Sequence, residues 1–450
     1  MKIAKRVLLA VLIILAIVIY TQYPKLNIIS GYAAKNMAST VFLAHRSAES
    51  VNANDNNVPL IKLAEVSSNE TSAEASVFGL MQRTSVCFEG IGCILVNDDF
   101  DEKASYRIPS RSKSTAQLPF PYGNKEPKDT IFPEVDYQLL NKALDSAFSR
   151  PEVQKTRTVL VNYKNQMVAE RYVDGFNAET PVLGWSMTKS VLATLYGILE
   201  YQDKIDLNLP APIEDWKTDE RKEITINHLL RMQSGLEWEE DYSSISDVTR
   251  MLFLDTDMTL GQAQKPAIAK PTEIWNYSSG TSNLLSGILR DHFETQQAYL
   301  DFPYSALIDK IGMNSMIIET DQAGNYVGSS YAWANTRDWA KFGILYLNEG
   351  EWNGQHLFDR QWVDYITTPT AHSDGTYGGH FWLNAEGKYP DVPKDMYSAN
   401  GYQGQRVFII PSKDLVIVRT GLAEEPDFNI NTFLKDVLAA FPSTDNSGLK

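Results

Sequence analysis

The chain has 450 residues, 43% of them apolar and 11% aromatic, which is enough for a large core and excludes a disordered polymer. A formal net charge of −15 argues against nucleic acid and anionic membrane surfaces as partners. The length suits roughly two or three domains, or one large domain carrying an inserted lobe.

At the N-terminus Met1-Lys2-Ile3-Ala4-Lys5-Arg6 is basic, and Val7 to Tyr20 is an unbroken apolar run. This is the layout of an export signal. The small-x-small site Gly31-Tyr32-Ala33 lies far beyond the run, past Pro24, so an uncleaved membrane anchor over residues 3–23 is expected rather than a cleaved signal. No cysteine precedes Cys87, which excludes a lipid-modified N-terminus. The bulk of the chain is therefore expected to be exported, periplasmic or otherwise extracytoplasmic, with the membrane as a partner of the N-terminal segment. The two cysteines, Cys87 and Cys93, either bridge in an oxidising compartment or stay as buried thiols.

Residues 24–130 read as an extension without chemistry. Polar stretches at 50–57 and 67–72 look like loops, Ile28 to Ala44 could be helical, and Val77 to Val96 is strand-like. Leu118-Pro119-Phe120-Pro121-Tyr122-Gly123 resembles a linker. The main domain is expected over residues 131–442, with a C-terminal tail at 443–450. In it Tyr137 to Phe148 reads as a helix, and Thr158–Val161 and Met167–Tyr172 as strands joined at Lys164-Asn165. A short helix runs from Ile224 to Met232, begun at Thr225. Residues 240–350 are mostly helical by pattern. Tyr377–Asn384, Arg406–Ile410 and Leu415–Thr420 are strand-like, and an amphipathic helix closes the region from about Phe428 to Phe441. Strands at both ends with helices between them predict an α+β architecture: an antiparallel β-sheet flanked by helices with an inserted all-helical lobe.

Three motifs carry chemistry. In Gly184-Trp185-Ser186-Met187-Thr188-Lys189, serine and lysine are spaced by about one helical turn, so both leave one face of a first turn. An amine there can take the serine's proton, and the turn's N–H groups have no intrahelical partners. A second Ser-x-x-Lys, Ser110-Arg111-Ser112-Lys113, has no apolar periodicity behind it and reads as a solvated loop; at Ser186 the bland alternative is a capping serine. In Trp275-Asn276-Tyr277-Ser278-Ser279-Gly280 a phenol precedes a short hydrogen-bonding side chain, which suits a proton relay. Tyr242-Ser243-Ser244 is a competing copy on an acidic loop. Asn400-Gly401-Tyr402-Gln403-Gly404-Gln405-Arg406 sets glycines at a strand edge, where a backbone N–H could be offered to a substrate oxyanion.

In this order the motifs resemble the serine β-lactamase-related hydrolases, which include class C β-lactamases, D-alanyl carboxypeptidases, related esterases and 6-aminohexanoate-dimer hydrolases. The stretches Ile224 to Leu236 and Thr336 to Gly343 support the resemblance, which covers residues 135–442. It implies a β-lactamase/transpeptidase-like fold and a covalent acyl-serine mechanism on a small-molecule amide or ester. Ser186 would be the nucleophile, Lys189 its base, and Tyr277 the group that passes the proton to the leaving group. Ser279 stands where many relatives carry asparagine. The N–H groups of Ser186 and Gln405 would form the oxyanion site. Tyr402-Gln403-Gly404 aligns with a triplet that in many relatives carries Lys or His; the missing cation argues against efficient β-lactamase activity and favours the aminohexanoate-hydrolase and esterase branch. In that branch a tyrosine after the Ser-Gly-Leu stretch touches substrate, which makes Tyr242 a binding candidate beside Ser279, Tyr402, Gln403 and Gly404.

No cofactor is expected. The histidines (His45, His228, His292, His356, His372, His380) are scattered without a metal-ligand pattern, and no Gly-x-Ser-x-Gly elbow supports a Ser-His-Asp triad. A reading from a different class is a membrane-tethered, penicillin-binding-like or pseudoenzyme protein that holds an acyl ligand without turnover.

Overall fold

The computed structural model describes residues 2–97, 99–101, 105–123 and 125–442, so the tail at 443–450 lies outside the described residues. Packing divides the chain into two units. One comprises Met1–Ala104 with two segments from later in the chain, Glu239–Met258 and Asp321–Gly324; the other comprises Ser105–Trp238, Thr259–Thr320 and Asn325–Lys450.

In the first unit, α1 (Lys2–Phe42) is one helix with Pro24 inside it, where a shorter helix from Ile28 was expected. Four strands follow: β1 (Ala64–Ser68), β2 (Ser72–Val77), β3 (Leu80–Phe88) and β4 (Gly92–Leu95), an antiparallel meander in that order. The polar stretch read as a loop thus contributes to β1 and β2. β1 carries little buried surface, and an edge strand of that kind shows no apolar alternation to read. The second half of α1 buries Ile29, Ala33, Met37 and Ala38 on this unit. Cys87 and Cys93 are directly opposed across β3 and β4 and form a disulfide. The first half of α1 is different, with Ile3, Val7, Leu8, Leu12, Ile14 and Tyr20 all exposed. Polar residues at Lys5, Arg6, Thr21 and Gln22 bracket an apolar run shorter than the roughly 20 residues a span needs. Among the described residues no helix is long and apolar enough to cross a membrane, so the anchor expected over residues 3–23 finds no support there.

The second unit is built on a six-stranded antiparallel sheet. The elements that form this sheet and frame the site are, in chain order, α2 (Tyr137–Phe148), β5 (Thr156–Tyr163), β6 (Gln166–Tyr172), α3 (Met187–Tyr201), α4 (Ser279–Asp291), α5 (Thr336–Leu347), β7 (Trp382–Leu383), β8 (Tyr397–Gly401), β9 (Gln405–Ile410), β10 (Leu415–Gly421) and α6 (Ile430–Leu438). The strand order is β7-β8-β9-β10-β5-β6, so segments from both ends of the region meet where β10 pairs with β5. Period-two alternation sorts the strands' side chains onto two faces. Leu160, Val407, Ile409, Val416 and Val418 join the core around α3 and α5, while Val159, Val161, Phe408, Ile410 and Ile417 join the core under α2 and α6.

The lobe expected to be all helical also holds a small three-stranded sheet, in which Ala332–Ala334 pairs with both Val182–Leu183 and Ile317–Ile318. Strands this short leave no alternation in the sequence. Likewise, of the strand expected over Tyr377–Asn384 only β7 forms.

Candidate active site

The approach to Ser186 is fixed before the helix starts. Val182–Leu183 is paired in the small sheet, the Gly184 N–H donates to the Ala332 carbonyl (2.8 Å), and Trp185 follows at φ 48°. A left-handed conformation in a large side chain stores about 1–3 kcal/mol of strain and persists only where neighbours enforce it. The enforcing contacts are visible. Thr188 Oγ1 donates to the Trp185 carbonyl (2.7 Å) and accepts from the Ala332 N–H (3.0 Å). A Cβ on Gly184 would sit 2.4 Å from the Trp339 ring. Ser186 occupies the N-cap position of α3, yet its side chain caps nothing, which disposes of the capping reading.

Lys189 is 1% exposed. Its Nζ lies 3.1 Å from Ser186 Oγ, 3.0 Å from Ser279 Oγ and 2.9 Å from the Ser329 carbonyl oxygen, and 4.9 Å from the centroid of the Tyr277 ring. The first two motifs thus converge on one amine. The carbonyl can only accept, whereas each hydroxyl can accept or donate. A neutral amine would donate to Ser329 and Ser279 and accept the Ser186 proton, and an ammonium would donate to all three. The same arrangement therefore serves both protonation states without moving a heavy atom.

Ser279 opens α4, whose N-cap is Ser278; Ser278 Oγ accepts from the Thr281 N–H (2.9 Å) and donates to Gln262 Oε1 (2.9 Å). Gly280 is required by Trp238, whose ring would lie 2.5 Å from an added Cβ. Tyr277 is half-buried in a ring cluster, 5.9 Å from Tyr377 and 5.4 Å from Trp382. Trp275 extends the cluster onto both (5.4 and 6.4 Å).

The third motif meets the first directly. A Cβ on Gly401 would sit 2.0 Å from the Gly184 carbonyl oxygen, and the Tyr402 ring lies 5.7 Å from Trp185. Gln403 (φ 61°) and Gly404 (φ 81°) make the left-handed turn into β9. The buried Gln405 side chain donates to the Tyr402 (3.2 Å) and Gly421 (2.6 Å) carbonyls and accepts from the Gly421 N–H (3.1 Å).

Several residues here carried no signal in the sequence. Arg419 Nη1 donates to the Gln403, Gly404 and Ala423 carbonyls, and Arg406 Nη1 to those of Gly401 and Gln405. Burial holds both guanidiniums below their ordinary pKa. His380 is 2% exposed; its Nε2 faces Ser282 Oγ (3.0 Å) and its Nδ1 the Leu230 carbonyl (2.6 Å), while its own carbonyl accepts from Ser190 Oγ. Burial, with a smaller contribution from the Lys189 charge, pulls its pKa down to about 3. It is a neutral strut behind the amine. His228 is half-buried and completes a capping box with Thr225.

Tyr242 belongs to the first unit, 53% exposed, with its hydroxyl donating to Glu240 (2.8 Å). The Ser110-to-Lys113 copy has no catalytic surroundings, but it is not simply solvated either. Arg111 pairs with Asp309 (2.7 Å), and the N–H groups of Ser110 and Ser112 donate to Asp301 and Asp309. Among the described residues no cluster of histidine, cysteine or carboxylate side chains could hold a metal ion.

Residues 150–434 match the family model described as Beta-lactamase. Over 331 residues the chain is 22% identical to a 6-aminohexanoate-dimer hydrolase of Paenarthrobacter ureafaciens, covering 67% of this chain and 82% of that protein. Among solved structures it is similar to a penicillin-binding protein homologue from Caulobacter crescentus (TM-score 0.54, 13% identity, 70% of this chain and 100% of that one). It is also similar to a family VIII carboxylesterase (TM-score 0.53, 16% identity, 70% of this chain and 99% of that one). At such identities these two structures speak for the fold alone.

Proposed function

This chain belongs to the beta-lactamase family, and from that premise we propose that it is a serine hydrolase that cleaves an amide or ester bond through an acyl group carried on Ser186. The observation that carries the reading is the buried Lys189 amine, 3.1 Å from Ser186 Oγ and held from its other sides by Ser279 and the Ser329 carbonyl.

Ser186 Oγ attacks the substrate carbonyl carbon as its proton passes to Lys189 Nζ. The carbonyl π electrons move onto oxygen, where the N–H groups of Ser186 and Gln405 are the proposed donors. Collapse of the tetrahedral species breaks the bond to the amine or alcohol, which leaves with a proton delivered through Tyr277. Water then attacks the acyl-serine, gives a proton back through the same relay, and releases the carboxylic acid. Positioned proton transfer contributes about 10²–10⁴-fold and one oxyanion donor roughly 10²–10³-fold.

The 6-aminohexanoate-dimer hydrolase that the chain resembles favours an amide as the bond cut, with an ester open to the same acyl-transfer chemistry. The rings of Trp275, Tyr277, Tyr377 and Trp382 favour a flat or apolar group beside it. We further read the basic-then-apolar head as the part that takes the chain out of the cytoplasm and rests on a lipid surface. The Cys87–Cys93 disulfide supports an oxidising compartment, and cell fractionation tests it.

The deciding experiment exposes wild type and Ser186→Ala to a fluorophosphonate probe. It then measures turnover of p-nitrophenyl esters, short linear amides, D-alanyl-D-alanine peptides and nitrocefin. Wild type should be labelled and should turn over an ester or amide, and Ser186→Ala should do neither. Label without turnover would favour a receptor for an acyl ligand, and turnover at wild-type level in Ser186→Ala would refute the assignment.

A further inference from the structure

At the outer edge of the ring cluster around Tyr277, the second unit holds one more charged group in a fixed place. The loop that leaves β7 is organised by Asn384, which is fully buried. Its Nδ2 lies 3.1 Å from each of the Tyr389, Val392 and Pro393 carbonyl oxygens, and its Oδ1 accepts from the Tyr389 N–H (2.8 Å). The Gly387 N–H closes a first turn onto the Asn384 carbonyl (2.8 Å), and the Val392 N–H a second onto the Tyr389 carbonyl (3.1 Å). A loop tied at several points to one buried amide keeps its shape, so the side chains it carries have set positions.

This loop sorts its charges. Asp391 turns to α6, where it accepts from Asn431 Nδ2 (2.7 Å) and pairs with Lys435 (3.3 Å). Asp395 turns to the hairpin between β9 and β10 and accepts from the N–H and Oγ of Ser412 (2.7 and 2.9 Å). Glu386 lays its stem against Gly375. Lys388 goes to the rings: its Nζ stands 5.8 Å from the centroid of Trp382 and 5.7 Å from that of Tyr389, within reach of cation–π attraction. It is exposed, and among the described residues it forms no ion pair.

From Trp382 the contacts lead inward to the reacting groups. Its ring lies 5.4 Å from that of Tyr277, the Tyr277 ring lies 4.9 Å from Lys189 Nζ, and that amine faces Ser186 Oγ at 3.1 Å. Lys189 is buried among protein oxygens, and Arg406 Nη1 is committed to two carbonyls, whereas the Lys388 ammonium is open to a ligand.

We propose that Lys388, seated on Trp382, is a specificity-determining residue that binds a carboxylate on the leaving portion of the substrate, so that amides whose amine part ends in an anion are preferred over neutral or cationic ones. The side of the bond rests on the serine-hydrolase reading, in which Tyr277 hands its proton to the leaving group; the rings that continue from Tyr277 then run along that group. Its carbons would lie over Trp382 and its charged end would meet Nζ. An exposed ion pair changes affinity only a few-fold. In a chain of net charge −15 it also works against a repulsive field, so it decides between ligands rather than supplying tight binding.

The test uses full-length Ser186→Ala, which does not consume its ligand. Calorimetry compares butyryl amides of one length whose amine part ends in carboxylate, methyl or ammonium (7-aminoheptanoate, heptylamine and 1,7-diaminoheptane), and repeats the set with five-carbon amines. The carboxylate amide should bind about two- to fivefold more tightly than the methyl one, and the ammonium amide more weakly. Adding Lys388→Met should abolish that preference and leave the methyl amide within about twofold, because methionine keeps an apolar stem on Trp382. Lys388→Arg should retain the preference and Lys388→Glu should reverse it. Raising salt from about 20 mM to about 500 mM should erase it. A carboxylate preference that survives Lys388→Glu overturns the proposal, as does its absence in Ser186→Ala. So does a preference found instead for adipoyl over hexanoyl amides of butylamine, which would put the charge on the acyl side. Fluorophosphonate labelling of wild type is a separate arm: no label sinks the hydrolase reading, and the calorimetric preference still decides on Lys388.

Discussion

Lys189 of α3 and Ser279 of α4 meet at 3.0 Å, so the amine that faces the nucleophile is held from a helix that follows in the sequence only after a long intervening stretch. Removing that hydroxyl leaves Lys189 with one acceptor fewer in a buried site. Ser279→Ala is expected to lower kcat by roughly 10–100-fold, the scale of one hydrogen bond to a charged group. Ser279→Asn, which restores an oxygen, should recover most of it. Steady-state kinetics of the three proteins decides, and equal losses in both variants would mean that the oxygen is not what matters.

Tyr277 lies against Lys189, whereas Tyr242 sits exposed in the other unit with its hydroxyl on Glu240. Tyr277→Phe should therefore reduce kcat by about 10²–10⁴-fold, and Tyr242→Phe should mainly change KM and the order of preferred substrates. A larger kcat loss at Tyr242 would reverse the ranking.

His380 supplies a pH test. Its folded pKa of about 3 lies below the ordinary value of 6.5, because burial penalises the charged ring. Below pH 6.5 the unfolded chain takes up a proton that the folded chain refuses. The contribution is thus complete above pH 6.5 and is lost as pH falls toward 3, with a slope of up to about 1.4 kcal/mol per pH unit. Urea unfolding of wild type and His380→Gln between pH 4 and 8 should show this slope (about 1.4 kcal/mol per unit at most) in wild type and its reduction in the variant. Parallel curves would refute a neutral buried ring.

The contact between Gly401 and Gly184 can be tested sterically. Gly401→Ala places a methyl 2.0 Å from the Gly184 carbonyl oxygen, closer than any real contact allows, so the end of β8 must move away from the turn before Ser186. Turnover should fall by roughly 10²-fold or more if that movement disturbs the oxyanion donor, with circular dichroism unchanged. An active Gly401→Ala would show that the third motif tolerates displacement.

The parts of this site that were legible in the sequence are the local ones. Ser186 and Lys189 are three positions apart on a helix, and that spacing alone puts them on one face. β5, β6, β9 and β10 announce themselves as apolar runs around turn residues, and α2 and α6 by their apolar stripe. Ser329 contributes a backbone carbonyl, which any residue type could supply, so nothing in its identity points to Lys189. Arg406 and Arg419 reach carbonyls of the third motif only once the strands have folded, and nothing in their places in the sequence points to those backbone partners. His380 was counted among scattered histidines because its partners, Ser282 and Leu230, are distant in the chain. The segment Glu239–Met258, which holds Tyr242, could not be assigned to the N-terminal unit, since the bond that commits it, Arg83 to the Phe253 carbonyl, again uses an anonymous backbone group.

The capture of Glu239–Met258 and Asp321–Gly324 by the N-terminal unit also bears on how the protein can be cut for laboratory production. A clone trimmed to the family-matched stretch would look complete by alignment, yet it would leave Phe253 without Arg83 and Tyr32, which now hold its carbonyl and its ring. Such a fragment is expected to come out of cells sticky and short-lived, and expression vectors should keep the β3–β4 hairpin with its arginine.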